Sequence, residues 1–139
     1  MRATVYGEAG HTEQALADFS KAISLDPNYT QAYANRALVY RKVNKLDLAL
    51  ADDNKALTLD ASYAPAYLGR GMVYREQGRN NQALEDFNKA ITLRPDNPEA
   101  YYNRGLLYQS QPSMPSASTI SRWQSDSQAK NRNPMWRAR

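Results

Sequence analysis

The chain has 139 residues, 42% hydrophobic and 23% charged, and no cysteine, so it has the makings of one packed domain without disulfides, thiol catalysis or thiolate metal sites. No run approaches the roughly 20 apolar residues that a membrane-spanning helix needs, and no basic region followed by an apolar run marks a secretory leader, which favours a cytoplasmic location. The net charge of +4 lies outside the main body: residues 1–110 hold 13 Lys+Arg against 13 Asp+Glu, while Arg122, Lys130, Arg132, Arg137 and Arg139 face only Asp126. A basic nucleic-acid surface on the body is therefore not expected.

In chain order, Met1 to Tyr6 matches the second half of a stretch that recurs three times. The copies are Ala32 to Tyr40, Ala66 to Tyr74 and Ala100 to Tyr108, spaced 34 residues apart, so the sequence is expected to start inside a repeat. From His11 to Leu25, Ala15, Leu16, Phe19, Ala22 and Ile23 recur at the three-and-four spacing of an amphipathic helix, which Asp26-Pro27-Asn28 ends. Thr30 to Val43 and Leu46 to Leu59 form the next pair around a turn at Asn44-Lys45, and Asp60-Ala61-Ser62 separates it from the pair after it. Ala64 to Gln77 and Asn80 to Leu93 repeat the unit around Gly78-Arg79, and Arg94-Pro95-Asp96 closes it. Pro98 to Ser110 opens a further unit.

The spacing thus predicts an all-α solenoid of helical hairpins. Its units are 1–28, 29–62, 63–97 and an incomplete 98–110, followed by a tail, 111–139, that is expected to be disordered. Connections this short make each pair antiparallel, and stacking hides the apolar stripe that a single pair would expose.

Over residues 1–110 the sequence resembles the tetratricopeptide repeat family. Tyr67, Gly71, Tyr74, Ala83, Phe87, Ala90 and Pro95 fill that family's pattern in the best-matched unit. The preceding unit supplies Tyr33, Ala37, Tyr40, Ala49 and Ala56, and departs with Asp53 in place of the aromatic and Ala61 in place of the proline. Ala3, Tyr6, Ala15, Phe19, Ala22 and Pro27 serve the first. A second departure is regular: Arg2, Arg36, Arg70 and Arg104 stand where a leucine is usual, and Asp18, Asp52 and Asp86 recur at the same period. Opposite charges at one period, each flanked by core residues, predict partly buried Arg–Asp pairs between helices.

The resemblance implies a right-handed helical-hairpin solenoid with a concave groove lined by the first helices. Carried over, its lining is Gln31, Ala34, Leu38, Arg41 and Lys42; then Pro65, Leu68, Met72, Arg75 and Glu76; then Glu99, Tyr102, Leu106 and Gln109. Leu38, Met72 and Leu106 would form an apolar stripe beside Arg41 and Arg75, suited to a peptide or helix with an apolar face and some acidic residues. The alternative is that these side chains pack between repeats. Asn35 and Asn103 look like the asparagine with which heat-shock co-chaperones of the family clamp a terminal carboxylate. The clamp's lysine positions, however, carry Gln31, Pro65 and Glu99, and its arginine position carries Gly69, which leaves no charge-assisted donors.

Catalysis, cofactors and metals find no support. His11 is the only histidine and reads as a solvated residue at a helix start. Asp52-Asp53 and Glu85-Asp86 fall on successive helix positions, which do not face one another. Gly69-Arg70-Gly71 lacks the strand that precedes a phosphate loop, and Asn28-Tyr29-Thr30 fits a glycosylation triplet by chance.

The tail has Pro112, Pro115 and six serines between Ser113 and Ser127, a composition that builds no apolar helix face. Read one base early, Trp123–Gln124 must encode alanine where the repeat wants its second-helix Ala. Ile120–Ser121 permits Phe, Thr119–Ile120 Asp, Pro134–Met135 Tyr, Arg137–Ala138 Arg and Ala138–Arg139 Ala, although Ser116–Ala117 and Gln128–Ala129 miss. The tail is therefore expected to be an out-of-frame repeat, the alternative being a linker with a basic end that meets an acidic or nucleic-acid partner. The expected function is a non-catalytic scaffold that binds a protein or peptide in its groove. The other reading is a module that self-associates through an uncovered terminal helix.

Overall fold

The computed structural model describes residues 2–110, with side chains from Gly10 onward. Two compact units, Met1–Leu107 and Tyr108–Arg139, divide the chain, and nearly all of the second, including the expected out-of-frame repeat, lies outside the described residues. The described part is all helical: α1 (Arg2–Leu25), α2 (Thr30–Lys42), α3 (Leu46–Leu59), α4 (Ala64–Glu76), α5 (Asn80–Leu93) and α6 (Pro98–Ser110). α2 with α3 and α4 with α5 pack as hairpins, α1 packs on α2 and α3 on α4 between units, and α6 adds Ala100 and Leu107 to the cluster around Phe87, which gives a helical-hairpin solenoid.

Turn chemistry sets the hairpins. Asn44 and Gly78 take positive φ (63° and 76°), the conformation open to glycine and tolerated by asparagine. Behind each, the following amide reaches back five residues, Lys45 N to the Tyr40 carbonyl (2.8 Å) and Arg79 N to the Tyr74 carbonyl (2.8 Å), closing the helix end. Between units, the Asp26 and Asp60 carboxylates accept from the Asn28 and Ser62 amides at 3.1 and 3.0 Å. Tyr33 and Tyr67 donate their hydroxyls back to the Pro27 and Ala61 carbonyls (2.9 and 2.8 Å), pinning each first helix to the loop before it.

α1 departs from the expected hairpin. Gly10 stands in register with Asn44 and Gly78, yet it is helical, and α1 runs unbroken from Arg2 to Leu25. The few residues before Gly10 gain a backbone hydrogen bond apiece by continuing an existing helix, whereas folding back would require a new nucleus.

The helices cross closely because their contact residues are small. Ala49, Ala56, Ala83 and Ala90 are buried, and so is Gly71, against Phe87. A β-carbon added at Gly71 would stand 2.7 Å from Phe87 Cε1, closer than any carbon pair tolerates. Gly71→Leu is therefore expected to cost about 3 kcal/mol of stability through overpacking. An unchanged thermal melt would contradict this packing.

Candidate interaction groove

The helices that carry the candidate groove residues are joined by an ion-pair framework whose charges repeat with them. Arg36 donates Nε and Nη2 to Asp52 Oδ2 and Oδ1 (2.7 and 2.8 Å), and Arg70 donates the same two groups to Asp86 (2.8 Å each). Each is a planar two-bond fork between the helices of one hairpin. The third nitrogen reaches the preceding unit: Arg36 Nη1 meets Ser20 Oγ (3.1 Å), Arg70 Nη1 meets Asn54 Oδ1 (2.9 Å), and Arg104 Nη1 meets Asn88 Oδ1 (2.8 Å). Tyr67 and Tyr74 flank the Arg70 guanidinium at 5.6 and 5.8 Å, and Tyr33 and Tyr40 flank Arg36 at 5.9 and 5.7 Å. The hydrogen bonds to Asp52 and Asp86 outweigh desolvation and raise the pKa of both arginines above the ordinary value. Arg70 pairs with the aspartate of its own hairpin, Asp86, and not with Asp52. The second contact, to Ser20, Asn54 and Asn88, is not anticipated from the charge pattern, although these three residues also recur every 34 positions.

On the first helices, Gln31, Asn35 and Lys42 of α2, Glu76 of α4, and Glu99 and Tyr102 of α6 are exposed, Tyr102 to 67%. Leu38, Arg41, Arg75 and Leu106 are partly buried, and Ala34 and Asn103 are buried. Side chains link the helices laterally: Arg41 Nη1 bonds Glu76 Oε1 at 2.7 Å from α2 to α4, and Arg75 Nη1 reaches Asn103 Oδ1 at 3.3 Å from α4 to α6. Asn103 also donates Nδ2 to the Glu99 carbonyl (2.9 Å), so its amide is engaged within the array.

The expectation that Leu68 and Met72 face a partner is corrected by their burial. Each is only 6% exposed, packed in one cluster with Ala83, Phe87, Ala90, Ala100 and Leu107, and Leu38 lies against it. The anticipated stripe is largely inter-repeat core. Of the residues carried over to the groove, those that stay exposed are mostly polar and charged, with Pro65 and Tyr102 exposed and Leu38 and Leu106 partly buried as the apolar points.

Beneath this face lies Asp53, which occupies the aromatic position filled by Phe87 one unit later. It is buried, its Oδ2 has no hydrogen-bond partner, and a β-carbon at Gly69 would stand 3.2 Å from that oxygen. Burial pushes its pKa up to about 8; the charge of Arg70 opposes this, Asp52 and Asp86 add to it, and Arg41 again opposes. Arg41 Nε is likewise buried without a partner. Among the described residues no cluster of His, Cys, Asp and Glu could hold a metal, and no helix is long and apolar enough to cross a membrane. His11 lies within α1 rather than at a helix start, and it is exposed, as a solvated residue would be.

One repeat model of the family, "TPR repeat", matches residues 4–44 and 71–111, and a second, "Tetratricopeptide repeat", matches residues 30–63. Comparison with curated proteins gives no match. Among solved structures, the first TPR of Spaghetti (RPAP3) bound to HSP90 peptide SRMEEVD is similar at 27% identity and a TM-score of 0.69, over 80% of this chain and 88% of that one. The second TPR domain of human RPAP3, in complex with HSP70 peptide SGPTIEEVD, gives 30% identity and 0.65 over 76% and 88%. YrrB, described as a TPR protein with an unusual peptide-binding site, gives 35% and 0.63 over 68% of this chain and 48% of its own. With family models matching along most of residues 4–111, and helical hairpins that superpose on solved members of the family, the chain belongs to the tetratricopeptide repeat family.

Proposed function

We propose that this protein is a non-catalytic interaction scaffold that takes a peptide or helical segment of a partner protein along the inner faces of α2, α4 and α6. The observation that carries the reading is the open row Gln31, Asn35, Lys42, Glu76 and Tyr102, set on helices braced by Arg41–Glu76 and Arg75–Asn103. A rigid, partly polar surface of this kind recognises an extended or helical segment at low ordering cost. Two structural neighbours are bound to chaperone peptides, which supports a peptide as the class of ligand. The mode differs from a carboxylate clamp: Gln31 and Glu99 stand at lysine positions, Gly69 at the arginine position, and Asn103 is engaged internally. Segments with acidic residues and one apolar face suit Lys42, Arg75, Leu38 and Tyr102.

On a peptide array, the wild-type chain is expected to favour acidic, apolar-faced segments. Lys42→Glu with Arg75→Glu is expected to weaken them about tenfold or more, as like charges meet across the contact. Equal binding by the variant, or no binding above background by either protein, would refute the reading.

Self-assembly is the second reading, and one contrast favours it. Gly71 meets Phe87, whereas around its counterpart Gly105 no described atom lies within 4 Å of where a β-carbon would stand.

A further inference from the structure

The two ends of the described array carry complementary halves of one repeat. In the inner hairpins, Asp52, Asp86, Ala56, Ala83, Phe87 and Ala90 are all buried beneath a first helix. The same positions on α1 are uncovered: Asp18 is exposed, and Ala15, Phe19 and Ala22 are only partly buried. Because α1 runs straight through Gly10, no described first helix lies over them. A concavity of about 280 Å³ opens there between α1 and α2, with Asp18, Phe19, Ala22, Tyr29 and Asn35 in its walls. No described cation is bonded to Asp18, although Asp52 and Asp86 each hold an arginine fork.

At the other end, α6 is a first helix. Arg104 makes the contact to the preceding unit, at Asn88, but none to an aspartate among the described residues. Arg36 and Arg70 each pair sixteen positions onward, with Asp52 and Asp86, and Gly71 meets Phe87 at the same offset. Three periods of 34 carry Asp18 and Phe19 onto the places that Arg104 and Gly105 require. The charge that α1 leaves open is matched by the charge that α6 brings, and the small residue of α6 is matched by the aromatic of α1.

We propose that the open face of α1 around Asp18 and Phe19 seats α6 of a second copy of this chain, with Arg104 forked onto Asp18 and Gly105 against Phe19. The inference rests on the self-assembly reading above and gives it a register. The contact joins unlike surfaces, head to tail, so it propagates into short filaments rather than closing as a dimer.

Sedimentation velocity on the whole chain at low and high micromolar concentration tests this. The wild type is expected to grow in size with concentration, while Asp18→Arg and Arg104→Asp each weaken association at least about tenfold by placing like charges in contact. Mixing the two variants is expected to restore assembly, because a junction between the two wild-type faces again pairs opposite charges, as does one between the two reversed faces. Gly105→Leu, which meets nothing described within its own copy, is expected to block the seat while leaving helicity by circular dichroism unchanged. A wild type that stays monomeric throughout would overturn both the inference and the self-assembly reading. Association that ignores both charge reversals and Gly105→Leu would overturn the inference alone and leave self-assembly by another face.

Discussion

Replacing Asp86 by alanine is expected to remove about 3 kcal/mol of folding stability, a large share of what a domain of this size possesses. The side chain of Asp86 is 6% exposed and accepts both arms of the Arg70 fork, so its loss strands a cation between two tyrosines and the asparagine of the preceding unit. The Arg70 side chain keeps 23% exposure, which lets water recover part of the loss and puts the cost at the lower end for a buried pair. Chemical denaturation of Asp86→Ala, Arg70→Met and the double variant gives the coupling directly. A coupling above about 1 kcal/mol is expected; additive losses would mean that the fork contributes nothing beyond its two separate environments.

The second large effect is a stability that depends on pH through Asp53. Its folded pKa, about 8, lies above the ordinary aspartate value of 3.8, so between those values the folded state holds a proton that the unfolded state has lost. The contribution is therefore fully present below about pH 4, declines as pH rises through the interval, and is gone above about pH 8. The steepest slope one such group permits is about 1.4 kcal/mol per pH unit. The groups facing Asp53 are Arg70 and Arg41, which favour its charged form, and Asp52 and Asp86, which disfavour it. Asp53→Asn keeps the shape against Gly69 and cannot ionise, so its unfolding free energy is expected to vary much less from pH 5 to 9 and to exceed the wild type's at the alkaline end. Parallel curves for the two proteins would show that Asp53 is not the group responsible.

Helix boundaries were the most legible part of this molecule. α3, α5 and α6 fall where periodicity and turn residues place them, and α2 and α4 end one residue earlier than expected. Period and turn chemistry are local properties, so a single sequence carries them. The Arg–Asp pairing was legible for the same reason, since both partners recur in register. Which face of a first helix meets the next repeat was not. Leu68 and Met72 read as groove residues by position, yet the stacking of α4 on its neighbours turns them into the cluster around Phe87, a consequence of crossing geometry that no local pattern encodes. Asp53 was visible as a departure from the aromatic position, but its orphaned oxygen depends on Gly69, sixteen residues away on another helix. The unbroken α1 differs from expectation because the counterparts of Gly10, Asn44 and Gly78, are turns; glycine permits a positive φ without imposing it.

The most direct test of the proposed groove is an amide chemical-shift map. The isotope-labelled chain would be titrated with the strongest acidic, apolar-faced peptide from the array. Shifts are expected to concentrate on Gln31, Asn35, Leu38, Lys42, Glu76 and Tyr102, along the inner faces of α2, α4 and α6. Shifts confined to α3 and α5, with these six residues unmoved at saturation, would contradict binding in the groove.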